Sequence, residues 1–412
     1  MTRVEPIVRA EKIGAAYDLM AAYGPDGTFF GRSGLGVVGS AEAIRFPLER
    51  RRVAPDTREL IGRAFAELPG GDGPPPVMFV SADFDVRRDA SALVPREVVR
   101  RDRTGETWRI SAGPPAAARV EGRSEPVLPY DPFSRMQQRP NPRPDRYRSA
   151  VAEAIRRIER SELRKVVLAR TLEVSAGRRL DPRRLLRRLA AVDPKAFAFS
   201  FPFLGPHPKT LVGASPELLV ERSGLDVRSS PLAGSAPRSG DPDADRSSGE
   251  GLLSSEKDRE EHAVVVEDVA ERLEPFCSEL EHDPEPVLLA TANVWHLCTR
   301  FHGTLREPAA DALTLALALH PTAAVGGAPR DRALELIREL EPFARGAYAG
   351  PIGWVDASGD GEFAIALRCA ELRDDSATLF AGAGIVAGSV PELELDETER
   401  KFRAFLDSLR WG

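Results

Sequence analysis

From residue 147 onward, short apolar runs alternate with segments of helical periodicity, and this alternation limits the chain to a mixed α/β architecture. Residues 147–160 have the apolar spacing of an amphipathic helix, and KVVLARTLEV (165–174) has that of a buried strand. DPRRLLRRLAAV (181–192) predicts a helix that begins after an aspartate cap, and FAFSFPF (197–203) predicts another strand. The rest of the chain continues to mix the two patterns.

The N-terminal third has a different character. Residues 1–123 contain short apolar runs such as PPVMFVSADF (75–84), which predict strands separated by Gly and Pro turns. Residues 124–148 are rich in proline and lack periodicity, as expected of a connector. We therefore divide the chain into an N-terminal part, 1–144, and a C-terminal part, 145–412.

Charge and hydropathy argue against two classes of partner. A net charge of −6 and a pI near 5.7 are unlike the basic surface of a nucleic-acid-binding protein. The chain has no run of about 18 apolar residues and no apolar core of a signal peptide, so we expect no membrane partner and a cytoplasmic location. Cys277, Cys298 and Cys369 form no C-x-x-C pair and are predicted to be reduced core thiols.

The segment FAGAGIVAGSVPELELDETERK (380–401) combines glycines with acids. Gly382, Gly384 and Gly388 predict a turn that opens a helix, and the N–H groups of such turns bind anions. Glu394 and Glu397 follow on the helix, and carboxylates suit a hard cation such as Mg²⁺. Two interpretations stay open: a joint site for an anion and its metal, or a tight turn before a solvated terminal helix.

Another acidic residue has a position set by helical periodicity. In the helix predicted over 254–276, Val265, Val269 and Leu273 form an apolar stripe, and one turn before Val265 the same face carries Glu261. A buried carboxylate needs a cation, hydrogen bonds or a proton. The alternative is that Glu261 lies in the exposed first turns, where acids stabilise a helix N-terminus.

An arginine lies in the strand predicted over GEFAIALRCAELR (361–373). Alternation places Arg368 on one face with Ala364, Ala366 and Ala370. The alanines leave open space, which a carboxylate-bearing ligand can fill while the guanidinium binds it. A structural salt bridge is the alternative.

Other polar residues are weak signals when taken singly. Lys165 begins an apolar strand, and Glu217 begins a hairpin predicted over 217–229 around a Ser-Gly turn. His296 is more typical of a hydrogen-bonded core histidine than of a ligand. The polar, glycine-rich residues 236–255 predict a loop between ordered segments, which is long enough to act as a lid.

Together and in this order, these segments resemble the chorismate-utilising enzymes, and the isochorismate synthases most closely among them. The resemblance runs from about residue 145 to the end of the sequence, over KVVLAR, GASPELLVER, PLAGSAPR, SSEKDREEH, WHL, LHPTAAVGGAPRD, ELEPFARGAYAGPIGWVD, RCAEL, and FAGAGIVAGS followed by ELELDET. It implies a single large α/β (α+β) unit. Two antiparallel β-sheets would pack face to face, with helices outside, a central active-site cleft and an N-terminal part that completes the sheets.

The resemblance also implies a role for each matching residue. Lys165 is implied as the general base for attack of water at C2 of chorismate, and Glu217 as the general acid for loss of the C4 hydroxyl. Glu261 and Glu397 are implied as Mg²⁺ ligands, with Glu394 as a direct or water-mediated partner. The implied substrate-binding residues are His296, Tyr348, Arg368, Gly382, Gly384, Ala324 and Ser235.

The activity implied by the resemblance is that of a Mg²⁺-dependent isochorismate synthase of either a siderophore or a quinone pathway. We separately expect the protein to be a monomer. Ala324, Val325 and Gly326 stand where relatives that use ammonia tend to carry hydroxyl residues, which favours water as the nucleophile. Lys165 argues against anthranilate synthase, whose members usually lack a lysine there. Salicylate synthase is the main alternative and aminodeoxychorismate synthase a more remote one. A non-catalytic carboxylate-binding protein on this scaffold would usually have lost Lys165 or Glu217.

Overall fold

The computed structural model describes residues 8–14, 17–40, 43–48, 57–66, 73–85, 90–112, 136–160, 162–204 and 207–409. The strands in these ranges are β1 Val8–Ile13, β2 Thr28–Arg32, β3 Leu35–Gly39, β4 Ala43–Leu48, β5 Val77–Ala82, β6 Ala90–Pro95, β7 Glu97–Arg101, β8 Thr107–Ala112, β9 Gln137–Asn141, β10 Lys165–Ser175, β11 Phe197–Phe203, β12 Lys209–Ser215, β13 Leu218–Ser223, β14 Asp226–Ser230, β15 Leu232–Pro237, β16 Cys277–His282, β17 Val287–Ala290, β18 Val294–Cys298, β19 Phe301–Leu305, β20 Gly327–Ala328, β21 Pro351–Asp356, β22 Gly361–Ile365, β23 Cys369–Arg373 and β24 Ser376–Ile385. The helices are α1 Leu19–Ala22, α2 Thr57–Phe65, α3 Pro144–Glu159, α4 Pro182–Val192, α5 Pro242–Ser254, α6 Glu256–Leu273, α7 Ala312–Leu319, α8 Arg330–Leu340 and α9 Pro391–Leu409.

The described strands form three antiparallel sheets. The first has twelve strands in the order β1-β8-β7-β3-β2-β11-β12-β23-β24-β10-β20, with β9 also paired to β10. The second has nine strands in the order β16-β19-β14-β13-β22-β21-β5-β6-β4, and the third is the small sheet β15-β18-β17. Both large sheets contain strands from the N-terminal and C-terminal parts of the chain.

The two large sheets share one buried core. Phe30 and Phe199 of the first sheet and Phe79 and Phe363 of the second belong to the same apolar cluster, as expected when two sheets pack face to face. A separate cluster covers the outer face of the first sheet, where α4 and α9 pack through residues such as Leu186. The predicted α/β class with packed antiparallel sheets and outer helices is confirmed, whereas the third sheet was not predicted.

Most predicted elements after residue 144 are present. α3, β10, α4 and β11 match the predicted helices and strands, and α4 begins at the Asp181 cap, whose side chain accepts from Arg183 N. β13 and β14 form the predicted hairpin, with Gly224 at a φ of 61° in its turn. Of the predicted connector, residues 124–135 lie outside the described ranges, and the remainder forms β9 and the start of α3.

The loop predicted over 236–255 is wrong for most of its length, because α5 occupies it. The helix begins at the Asp241 cap and packs against β15 and β18 of the third sheet. The Asp245 carboxylate accepts from Arg238 and from Trp295 Nε1, which fastens α5 to β18. Tertiary contacts thus override the weak helix propensity of a glycine-rich segment. No helix in the described ranges is both long and apolar enough to span a bilayer.

Candidate active site

A buried ion pair joins β10 to α6. Lys165, the first residue of β10, is 1% exposed, and its Nζ lies 3.0 Å from Oε1 of Glu261. Glu261 shares a buried helix face with Val265 and Val269, as periodicity predicted, so the exposed-turn alternative is wrong. The lysine supplies the cation that a buried carboxylate needs.

Gly384 leaves the space in which this pair forms. The residue lies on β24 opposite Val167 of β10. A Cβ on it would be 2.1 Å from Oε1 of Glu261 and 3.1 Å from Cε of Lys165. Only glycine allows the two side chains to come this close to the sheet.

The glycine-rich segment is a strand and not the turn that the sequence predicted. β24 runs through Gly382 and Gly384 and ends at Ile385, and the turn into α9 follows it. Val167 directs its N–H to Gly326 and its carbonyl to Arg345, so Gly384 forms a non-hydrogen-bonded pair with it. The main-chain groups of Gly384 therefore face away from β10.

Two further glutamates predicted as metal ligands are also paired with lysines. Nζ of Lys257 lies 3.0 Å from Oε1 of Glu394, which is 3% exposed. Lys401 forms an ion pair with Glu397 on the same helix and donates to the Gly382 carbonyl at 2.7 Å. Each of the three predicted ligands thus has its own ammonium partner.

The donor chemistry of this region fits a hard cation. Burial, reinforced by the charge of Glu397, raises the pKa of Glu394. Burial, together with Glu261 and Glu397, likewise raises the pKa of Asp258. These acids are close enough to repel one another, and a divalent cation would relieve that repulsion through oxygen ligands. Within the described ranges no three His, Cys, Asp or Glu side chains stand at metal-binding spacing.

Glu217 is a buried carboxyl group at the junction of β12 and β13. It is 3% exposed, and its Oε1 accepts from Leu232 N at 3.4 Å. Burial raises the pKa of Glu217 to about 8, against the lowering effects of that hydrogen bond and of the Lys165 and Arg368 charges. Glu217 is therefore mostly protonated at neutral pH and able to donate a proton.

Arg368 occupies a bend between two strands, so the single strand predicted over 361–373 is wrong. β22 ends at Ile365 and β23 begins at Cys369, and Arg368 has a φ of 48°. A non-glycine residue in this left-handed region costs about 1 kcal/mol or more, and such residues are enriched at ligand-binding and active sites. β23 belongs to the first sheet and β22 to the second, so the bend carries the chain between them.

His296 holds the Arg368 guanidinium. Its Nε2 lies 3.3 Å from Nη2 of Arg368, and its Nδ1 lies 3.1 Å from the Gly234 carbonyl. A guanidinium only donates and a carbonyl only accepts, so the imidazole is neutral with its hydrogen on Nδ1. Burial, aided by the Arg368 charge, lowers the pKa of His296 to about 3, which keeps it neutral.

The third sheet brings Ser235 to the same place. Ser235 lies opposite His296 in the β15–β18 register, after an irregularity at Gly234, whose φ is 71°. The Ser235 side chain hydrogen-bonds the Glu397 carboxylate. Although burial alone would raise it, the pKa of Glu397 is lowered by Lys401 and by this hydrogen bond.

Tyr348 and Ala324 complete the wall. The Tyr348 ring is buried and stacks on Phe380, with 4.9 Å between centroids and 11° between ring planes. A Cβ on Gly382 would lie 3.1 Å from the Tyr348 hydroxyl. Ala324 adds no polar atom to the cleft beyond its main chain.

These residues line one cleft. Ten of the twelve predicted site residues line it: Glu217, Ser235, Glu261, His296, Ala324, Tyr348, Arg368, Gly382, Gly384 and Glu397. Lys165 lies behind Glu261 and Gly384 rather than on the wall, and Glu394 lies with Lys257 beyond the lining.

Sequence reasoning missed Lys401, which lines the cleft. Its spacing of four residues from Glu397 on a predicted helix was a usable signal, because such pairs share a helix face. Lys257 was missed too, and no local pattern predicts its partner, since Glu394 is 137 residues away.

Comparison with known proteins adds independent findings. Residues 113–410 match the family described as "Chorismate binding enzyme". Isochorismate synthase DhbC of Bacillus subtilis is 46% identical over 275 residues, which cover 66% of this chain and 69% of the relative. Isochorismate synthase EntC of Escherichia coli is 37% identical over 334 residues, which cover 81% of each chain. The crystal structure of DhbC from Bacillus anthracis is similar with a TM-score of 0.83 and 36% identity, over 96% of this chain and 99% of that one.

Proposed function

The chain belongs to the chorismate-binding enzyme family, and on that premise we propose that it is an isochorismate synthase. The reaction would add water at C2 of chorismate, shift the ring double bond and release the C4 hydroxyl. This is the activity named for relatives that are 37% and 46% identical.

One observation carries the proposal: an acid that is protonated at neutral pH lines the cleft, and a buried lysine lies directly behind two lining residues, Glu261 and Gly384. The pKa of Glu217 is raised to about 8 by burial, so it can protonate a leaving hydroxyl. The Lys165 side chain lies beside Gly384, and its charge lowers the pKa of Glu217 in part. An acid and a base in one cleft suit a reaction in which one hydroxyl enters and another leaves.

We assign substrate binding to other residues that line the cleft. Arg368, fixed by neutral His296, would bind a substrate carboxylate through its paired N–H groups. The main-chain groups of Gly382 and Gly384 would approach another carboxylate oxygen, and Tyr348 would orient the ring.

The proton balance of this scheme closes. Lys165 would first release the proton that it carries in its ion pair with Glu261 and then take one from the attacking water. Glu217 would give one proton to the departing hydroxyl, which leaves as water. The lysine then returns its proton to solvent and the glutamate regains one. Oxidants, reductants and covalent intermediates are not needed.

We assign cation binding to Glu261 and Glu397, with Glu394 as a direct or water-mediated partner. When bound, Mg²⁺ would supply the positive charge that neutralises a substrate carboxylate. Without Mg²⁺, the ammonium groups of Lys257 and Lys401 balance the negative charges of Glu394 and Glu397.

The nucleophile proposed is water. Ala324 carries no side-chain hydroxyl that would hold ammonia in this wall of the cleft. We further propose that the protein acts as a monomer in the cytoplasm, which size-exclusion chromatography and cell fractionation test.

Incubation of the purified protein with chorismate and Mg²⁺, followed by chromatography, tests the proposal. Isochorismate is the expected product. Salicylate, detected by its fluorescence, would reassign the protein to salicylate synthases, and a product that requires ammonia would reassign it to aminodeoxychorismate synthases. Absence of all three would refute the proposal.

A further inference from the structure

A second cavity adjoins the cleft. It shares Pro216, Arg368 and Lys401 with the cleft wall. Its other walls come from the last turn of α4, the turn between β17 and β18, and the C-terminal half of α9. Three elements that are far apart in sequence therefore line one cavity beside Arg368 and Lys401.

The outer end of this cavity is open to solvent. Val192 is 38% exposed, and Ala292 and Asn293 are also exposed. The inner end is formed by Arg368 and Lys401, whose charges also act within the cleft. The cavity thus leads from the surface to the cationic wall of the site.

We propose that this outer cavity is the entrance through which the carboxylate-bearing substrate reaches the cleft, with Asp193 at its mouth limiting the rate of entry. The proposal rests on a chorismate-like substrate. Cations at the inner end attract a dianion, while apolar walls such as Leu189 and Phe405 let its ring and methylene groups pass.

Asp193 opposes that attraction. Its carboxylate lines the outer cavity and acts electrostatically on Arg368. It is the C-cap residue that follows Val192, the last residue of α4. Its main-chain N–H donates to the Leu189 carbonyl, and its main-chain carbonyl accepts from Ala196 N–H. Asparagine therefore fits the same place without the charge.

Site-specific labelling tests the entrance. The three native cysteines are buried, so in Ala292→Cys a biotin maleimide modifies the new thiol first. Leu204→Cys, at a side chain 60% exposed and outside the cavity lining, is the matched control. Chorismate association is followed by stopped-flow tryptophan fluorescence, with labelling confirmed by mass.

We expect the label at residue 292 to slow association by about tenfold or more, while the label at residue 204 leaves it unchanged. Equal rates for labelled and unlabelled Ala292→Cys would overturn the proposal. This experiment measures chorismate association and not product formation. Failure of the proposed activity would appear as missing isochorismate with the unlabelled enzyme, so the two proposals are tested separately.

The charge at the mouth gives a second measurement. Asp193→Asn should raise the association rate by about twofold at low salt, with the gain shrinking as salt is added. Asp375→Asn is the control, because it changes the net charge by the same amount. Asp375 lies in the turn before β24, seven residues and about 24 Å along the strand from Gly382. If the two variants behave alike, Asp193 has no special role at the entrance.

Discussion

Nζ of Lys165 and Oε1 of Glu261 lie 3.0 Å apart, and both side chains are buried. The proposed general base and a proposed metal ligand are therefore each other's counter-ions. Removing one partner of a buried pair costs about 3–5 kcal/mol, because the other charge is left uncompensated. Substitutions here should affect stability and catalysis together, and the two effects have to be measured separately.

Lys165→Ala should lower turnover of chorismate by a factor of about 100 to 10,000, since a positioned base contributes that much. Because Arg368 and His296 are unchanged, chorismate should still raise the melting temperature of the variant. Product chromatography and thermal unfolding with and without chorismate check both. Turnover close to wild type would contradict the role of Lys165 as base.

Glu261→Gln should weaken the dependence of activity on Mg²⁺ and raise its half-saturating concentration by about tenfold. Glu371→Gln is the matched control, since Glu371 is also buried and paired with a lysine, Lys209, but does not line the cleft. Titrating the activity of both variants with Mg²⁺ tests whether Glu261 contributes to metal binding. Identical curves for Glu261→Gln and wild type would remove Glu261 from the metal site.

Lys257→Met should tighten Mg²⁺ binding, because the cation would no longer compete with an ammonium for Glu394. In the absence of metal the same variant should be less stable, since Glu394 loses its partner. Isothermal calorimetry and thermal unfolding measure the two effects. Lys209→Met should be destabilised without any change in Mg²⁺ affinity, and weaker binding by Lys257→Met would argue against competition.

Glu217 predicts two kinds of pH dependence. Burial raises its pKa to about 8, so activity should fall as pH rises through that value and the acid loses its proton. Between pH 4.5, the ordinary pKa of a glutamate, and about pH 8, the folded protein keeps this proton while the unfolded chain has lost it. The free energy of unfolding should therefore fall as the pH rises through this range, by up to about 5 kcal/mol.

Glu217→Gln removes the titrating group and serves as the control for that effect. Its unfolding free energy should depend less on pH over this range than that of the wild-type protein, and its turnover should be low at every pH. Parallel stability curves for the two proteins would show that Glu217 ionises normally.

Gly384→Ala should destabilise the protein by about 1–3 kcal/mol and reduce turnover, because its Cβ would overlap Glu261 and crowd Lys165. Gly388→Ala is the control, since the nearest atom to its Cβ would be Cγ of Lys257 at an ordinary 3.7 Å. Chemical unfolding and kinetics compare them. A stable, active Gly384→Ala would mean that the ion pair does not need this space.

Sequence periodicity predicted those features that depend on neighbouring residues. The alternation after residue 147 predicted α3, β10, α4 and β11, and the 3.6-residue period placed Glu261 on the buried face of α6. Motifs in a fixed order identified the family that residues 113–410 match. Each of these signals is local, because backbone geometry fixes which residues of one helix or strand share a face.

Which residues those faces contact depends on how the elements pack in three dimensions. The tertiary structure placed Gly384 in a strand beneath Glu261, turned Arg368 through a bend toward His296, and paired Lys257 with a glutamate 137 residues away. Such contacts depend on how sheets and helices pack, which no local period encodes. Local sequence patterns predicted most elements after residue 144 and the types of side chain at the site, but not α5, the third sheet or the bend at Arg368. Packing determined their partners, and with them which carboxyl group keeps its proton and which carboxylates lie beside an ammonium group.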